Sequence, residues 1–143
     1  MGGAGEGVDV NWEEEAEEGN EDVEEQPPAQ LFYANVAQFV TEQLAPVYRR
    51  QLDPAGRSTT FTWCAQWWRH EEAVSRLTGL WRAWEQLRTD PSTGLAVWWR
   101  DYADPTMRVL FEEKGPFHGC TPRTHSPKGV PLTLEPPPEG LFD

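Results

Sequence analysis

Apolar positions recur at intervals of three and four through the first half of the chain: Phe32, Val36, Phe39, Val40, Leu44, Val47 and Tyr48 fall on one stripe. That spacing predicts a helix with one buried face. Pro46 interrupts it, and a kink or short break is expected there, because proline removes a donor and crowds the preceding turn. Asp53-Pro54-Ala55-Gly56 reads as a turn. From about His70 a second stripe carries Ala73, Val74, Leu77, Leu80, Trp81, Trp84 and Leu87. Glu71 and Glu72 at its start and Arg88 at its end suit the helix dipole. Asp90-Pro91-Ser92-Thr93-Gly94 makes the next turn, and Leu95, Trp98, Trp99 and Tyr102 come after it on a short third helix. Asp104-Pro105 reads as cap and first position of a fourth, carrying Met107, Leu110 and Phe111. The fold class predicted is all-α, a small domain of three to four helices.

Composition changes the picture at both ends. Residues 1–25 hold eleven acidic side chains and no basic one, with a Gly-rich start. Such a segment buries too little apolar surface to offset its ordering entropy. Residues 1–28 are therefore read as a disordered acidic tail, residues 29–125 as the helical domain, and residues 126–143, with five prolines, as a Pro-rich extended tail. The formal charge of -12 belongs almost entirely to the acidic tail, since the remainder has 13 acids against 12 bases. Those bases are interleaved with acids rather than gathered into a nucleic-acid footprint. A solubilising appendage is the simplest role for the acidic tail; a flexible binding segment and a phosphate mimic competing with DNA are the sharper ones. No run approaches the twenty or so apolar residues that span a bilayer, and no signal-peptide pattern opens the chain, so cytoplasmic localisation is expected.

The candidate chemistry lies in two short clusters. Trp63-Cys64-Ala65-Gln66-Trp67-Trp68-Arg69-His70 holds one thiol and one imidazole; fifty residues on, Cys120 is flanked by His118 and His125. Two cysteines and three histidines concentrated in this way suggest a zinc site. Two unliganded buried thiols, or a disulfide, are the other readings, and a reducing compartment favours metal over disulfide. The common phosphate-loop, nucleophile-elbow and His-Glu-x-x-His signatures are absent, which removes the commonest enzymes and not all of them.

Seven of the eight tryptophans lie between Trp63 and Trp99. Trp81, Trp84 and Trp98 have helical spacing and read as core. Neighbouring tryptophans point in different directions, so one of each adjacent pair should reach the surface, which makes Trp67, Trp68 and Trp99 candidate partner contacts. A protein partner is preferred to single-stranded nucleic acid, because no basic groove accompanies the rings. Arg76, Arg82 and Arg100 have ion-pair partners nearby in Glu72, Glu85 and Asp101; Arg82 and Arg100 are also candidates to anchor a partner or stack on an indole.

The run Trp63-Cys64-x-x-Trp67-Trp68-x-His70-x-Glu72-Ala73, with Leu80-Trp81-Arg82-Ala83-Trp84-Glu85, Trp98-Trp99-Arg100-Asp101 and Gly115-Pro116-Phe117-x-Gly119-Cys120, resembles a domain family of unknown function. That family is found mainly in actinobacteria, with many members carried on plasmids, integrative conjugative elements or phages. The resemblance covers roughly residues 32–138. It implies a histidine shortly after the last cysteine, here His125, with His118 at a variable position; Glu71 departs from the family's proline, a change a helix start tolerates. Cys64, His70, Cys120 and His125 would then close a tetrahedral, structural zinc site that staples the C-terminal segment to the domain. The alternative is an open site with a metal-bound water and Glu72 or His118 as base, a zinc-dependent hydrolase. The expected function is a non-enzymatic, zinc-stabilised accessory or adaptor module, its origin on a mobile element being what the resemblance implies. A nucleic-acid-associated accessory factor in plasmid transfer or replication is the runner-up.

Overall fold

In a computed structural model of the chain, residues 30–52 and 61–143 are described. The acidic tail at residues 1–28 and the turn at Asp53-Pro54-Ala55-Gly56 lie outside the described residues. Three helical rods carry the fold, and no strand occurs among the described residues. The first rod comprises α1 (Val36–Phe39), a π-helical turn (Val40–Leu44) and α2 (Ala45–Val47). A 3-10 turn (Trp67–Arg69) leads into the second rod, α3 (Glu71–Leu87). The third comprises α4 (Gly94–Val97), a π-helical segment (Trp98–Ala103) and α5 (Asp104–Phe111). All three are amphipathic or buried on one side, as the spacing of apolar residues requires.

The first rod starts at Val36, later than the stripe from Phe32 suggests. Asn35 is the cause: its side-chain oxygen accepts the N–H of Gln38 at 2.9 Å, and the Gln38 side chain reaches back to accept the N–H of Ala34 at 2.7 Å. This reciprocal cap fixes the start and leaves Phe32 and Tyr33 outside the helix.

The third and fourth helices expected from sequence are one continuous rod. Asp104 is not a cap; its backbone is helical, at φ -59° and ψ -49°. The phase of the apolar stripe slips inside the π-helical segment, where the N–H of Asp104 bonds the carbonyl of Trp99, five residues back. Trp98 and Met107 are both buried, yet nine residues of uniform α-helix would put them on opposite faces at about 100° per residue. One extra residue in the wider turn brings them to the same side. Proline obeys the same logic: Pro46 and Pro105 each stand two residues past a π-helical stretch, whose widened turn relieves the clash a ring would otherwise make. The expected break at Pro46 is therefore absorbed within the rod.

The core gathers Phe39, Leu44, Leu77, Leu80, Trp98, Leu110 and Phe117 from the three rods and the segment after them. Ala73 and Ala103 are wholly buried, small side chains where rods come close. Trp98 satisfies its indole N–H on the carbonyl of Leu80 at 3.2 Å. Trp81 is buried as well, whereas Trp84 is half-buried among Phe32, Tyr33 and Phe39. At Gly94 a β-carbon would collide with the carbonyl of Leu87, so glycine is required for the turn to return this tightly.

Two of the three expected ion pairs form, Arg76 with Glu72 at 2.9 Å and Arg100 with Asp101 at 2.8 Å. The third does not. Arg82 instead lies over the ring of Trp81, 4.6 Å from its centroid, and Glu85 turns inward to other partners. Its carboxylate is buried and accepts the backbone N–H groups of Phe32 and Tyr33 as well as the Arg88 guanidinium. Among the described residues no helix is long and apolar enough to cross a membrane.

Candidate metal centre

Two local structures deliver the four thiol and imidazole groups. Between Cys64 and His70 the chain winds through the 3-10 turn, closed by Arg69 N–H to Gln66 carbonyl at 3.0 Å and His70 N–H to Trp67 carbonyl at 3.1 Å. This places His70 immediately before α3, where its carbonyl accepts the N–H of Val74. Between Cys120 and His125 a second turn is closed by paired backbone bonds between Thr121 and Thr124 at 2.8 and 3.2 Å. Gly119 adopts φ 81°, a left-handed conformation natural only to glycine, and a β-carbon there would press on the Ser126 hydroxyl. Phe117, wholly buried, stands against the His70 ring at 4.9 Å and against Trp63 at 5.0 Å.

The donor atoms of Cys64, His70, Cys120 and His125 all lie within 4.8 Å of one another, so this group can hold a metal ion. Cys64 Sγ is 3.4 Å from His125 Nδ1, and Cys120 Sγ is 3.5 Å from His70 Nε2 and 3.9 Å from His125 Nδ1. In a tetrahedron with metal–sulfur bonds of about 2.3 Å and metal–nitrogen bonds of about 2.0–2.1 Å, the sulfur–nitrogen edge is about 3.6 Å. The observed separations bracket that edge. Both cysteines are reduced and buried, so the two sulfurs stand as separate thiol donors and not as a disulfide.

A backbone N–H reaches each of the two sulfurs. The N–H of Ser126 points at Cys120 Sγ at 3.2 Å, and the N–H of Gln66 donates to Cys64 Sγ. His70 donates from its ring to the carbonyl of Pro116, the kind of outer contact that orients a metal-binding imidazole. With protons alone the balance is unfavourable to charge. Burial pushes the Cys64 thiol up to about 11, with the neighbouring Cys120 adding to it against the Gln66 N–H. Burial likewise lowers the His70 pKa, with His125 adding to the effect. A divalent cation reverses this for the thiols, which bind metal as thiolates.

The other residues singled out in the sequence occupy varied positions. Trp68 is 61% exposed in the 3-10 turn, while Trp67 is half-buried against the core. Trp99 is half-buried between Tyr48 and Trp98, at ring separations of 5.3 and 4.9 Å. Arg100 is exposed and engaged by Asp101. Glu72 pairs with Arg76, and His118 directs Nδ1 at the carbonyl of Glu113 at 2.8 Å; neither belongs to the clustered donors. The groove beside His70 and His125 mixes Arg69, Lys114 and Lys128 with Glu71, Glu72 and Glu112, a balanced set of charges. Sequence reasoning does not identify Ser126, Gln66 and Pro116, because each acts through its backbone, which carries no side-chain signature.

Three helical rods, with no strand among the described residues, and a group of two buried thiols and two half-buried imidazoles define a small helical domain with a Cys2His2 set that can hold a metal ion. The chain belongs to the family described as a domain of unknown function, DUF4913, whose model matches residues 33–138. No curated protein and no solved structure matches it.

Proposed function

We propose that this chain is a non-enzymatic, zinc-stabilised interaction module, an accessory or adaptor protein of an actinobacterial mobile genetic element acting in the cytoplasm. The observation that carries the reading is the convergence of two thiols and two imidazoles within 4.8 Å. Four such donors complete a tetrahedron and leave no position for a reacting water, the hallmark of a structural site. Zinc suits the mixed sulfur and nitrogen set. Held in this way, the segment bearing Cys120 and His125 is stapled to the start of α3. The exposed Trp68 ring supplies a contact of the type that anchors protein partners, and the balanced charges of the adjoining groove favour protein over nucleic acid.

Elemental analysis of the purified protein tests this, together with Cys64→Ala, Cys120→Ala and His125→Ala and with thermal melting in the presence of a chelator. One equivalent of zinc, lost in each variant along with cooperative unfolding, supports the structural staple. Stoichiometric metal that survives His125→Ala with the fold intact points to an open coordination position and to the hydrolase. Protein that melts cooperatively without metal overturns both.

A further inference from the structure

Beyond His125 the chain leaves the metal centre as a tethered arm. Ser126 is buried and doubly tied to Cys120, donating its N–H to the sulfur at 3.2 Å while its carbonyl faces the same sulfur at 3.6 Å. Three residues later Gly129 adopts φ 124°, a conformation L side chains rarely take, and nothing lies within 4 Å of where a β-carbon would stand. From there Val130, Pro131 and Leu132 run along the groove that Arg69, His70 and Glu112 also line, with their side chains turned mostly to solvent. The arm past Gly129 carries the most exposed apolar stretch among the described residues: Val130 is 85% exposed, Leu132 88% and Leu134 84%. Residues 130–135 have no secondary structure and no backbone hydrogen bond; the nearest lies further along the arm, from the N–H of Leu141 to the carbonyl of Pro138 at 3.2 Å.

The order of residues matters as much as their exposure. Val130, Leu132 and Leu134 alternate with Pro131, Thr133 and Glu135, which in an extended strand puts three large apolar side chains on one face. The backbone N–H and C=O groups alternate with the same period between the strand's two edges. One edge keeps the donors of residues 130, 132 and 134; the other is broken by Pro131, which has none. Such a segment can pair along one edge and is blocked from growing into a longer sheet on the other, the arrangement natural sequences use against runaway pairing. The described residues of the chain contain no strand for it to join. Pairing with a second copy would give only a two-stranded ribbon, marginal in water. The family model also runs through this segment to residue 138.

We infer that residues 130–134 are a docking strand that adds to the free sheet edge of a partner protein, with apolar pockets for Val130, Leu132 and Leu134. Backbone pairing supplies affinity and the alternate side chains supply selectivity. The metal centre fixes the root of the arm and so limits the conformations it must give up on binding. This rests on the interaction-module reading and names the kind of partner.

The test uses the full-length chain in cells of its source organism, with the photo-crosslinking residue p-benzoylphenylalanine at Glu135 and, separately, at Trp68. Leu132→Pro removes a donor from the pairing edge; Thr133→Pro removes one from the edge already broken by Pro131. Both positions are exposed and outside the core, and melting curves of both variants check that the fold is kept. The expected result is crosslinking from position 135 onto an edge strand of one protein. Leu132→Pro should reduce it at least about tenfold, since both a pairing N–H and the pocketed leucine side chain are lost, and Thr133→Pro should leave it within about twofold. Equal loss in both proline variants, crosslinks to another copy of the chain, or no crosslink from position 135 overturns the docking strand. Crosslinking from position 68 alone overturns the strand and leaves the interaction module standing; crosslinking from neither position overturns both.

Discussion

Glu85 holds the backbone of Phe32 with both carboxylate oxygens, at 2.7 and 3.1 Å from its N–H. The same carboxylate accepts the N–H of Tyr33 at 3.0 Å and pairs with Arg88 at 3.1 Å. Burial alone would raise its pKa; the two backbone donors and the arginine outweigh that and hold it below the ordinary value. An ionised carboxylate thus fastens the segment preceding α1 to the last turns of α3.

Because the folded pKa is depressed, the stabilisation is present at neutral pH and is lost as pH falls through the folded value, below about 4.5. Glu85→Gln should lower stability by about 1–3 kcal/mol at pH 7 by leaving buried donors poorly paired. The difference from the unsubstituted protein should shrink in acid. Thermal melting of both proteins between neutral pH and pH about 3 checks it; a difference independent of pH would show that the charge contributes nothing.

Metal affinity should rise with pH. The Cys64 thiol, pushed up to about 11 by burial, must lose its proton to bind. Titration with cobalt(II), followed by the visible absorption of tetrahedral thiolate-bound cobalt, should give tighter binding at pH 8 than at pH 6 and release of protons to the buffer. Cys120→Ser should weaken the thiolate signal, leaving the contribution of Cys64 alone.

Gly119→Ala should weaken the centre without touching a donor. The left-handed backbone at φ 81° costs an L residue about 1–2 kcal/mol, and the new methyl meets the Ser126 hydroxyl. The expected result is a roughly tenfold loss of metal affinity, seen in competition with a chelator of known strength; unchanged affinity would mean that the loop shifts at no cost.

The tryptophans should separate into two groups on substitution. Trp98→Ala should cost about 3–5 kcal/mol, the range for a buried aromatic side chain, since Trp98 is 1% exposed. Trp68→Ala should alter stability by no more than about 0.5 kcal/mol. Denaturant unfolding of the two variants, each compared with the parent, measures both.

The helical class and the four Cys and His residues that cluster are legible in the sequence because each leaves a side-chain trace: stripes such as Leu77, Leu80 and Trp81, and Cys and His paired at short range. The continuity of the third rod is not legible. A phase slip between Trp98 and Met107 looks like a break when 3.6 residues per turn is assumed throughout, and Asp104-Pro105 imitates a helix start. Spacing along the helix offers Glu85 as a surface partner of Arg82, and says nothing of a backbone segment packed against it from 52 residues away. The N–H groups at Gln66 and Ser126 escape for the same reason.

α3 is fastened at both ends by different chemistry. His70, at its start, belongs to the donor group that also takes in Cys120 and His125, and Glu85, near its finish, secures Phe32 and Tyr33. About fourteen residues of helix separate the two attachments, roughly 21 Å at 1.5 Å per residue. A pull between the segment entering at Phe32 and the arm leaving at Ser126 is therefore carried lengthwise along a single helix, with a carboxylate clasp at one end and the metal centre at the other. With a metal ion bound by the donor group, the clasp, made only of hydrogen bonds and an ion pair, should yield first under mechanical load, and the other end should be the last to let go.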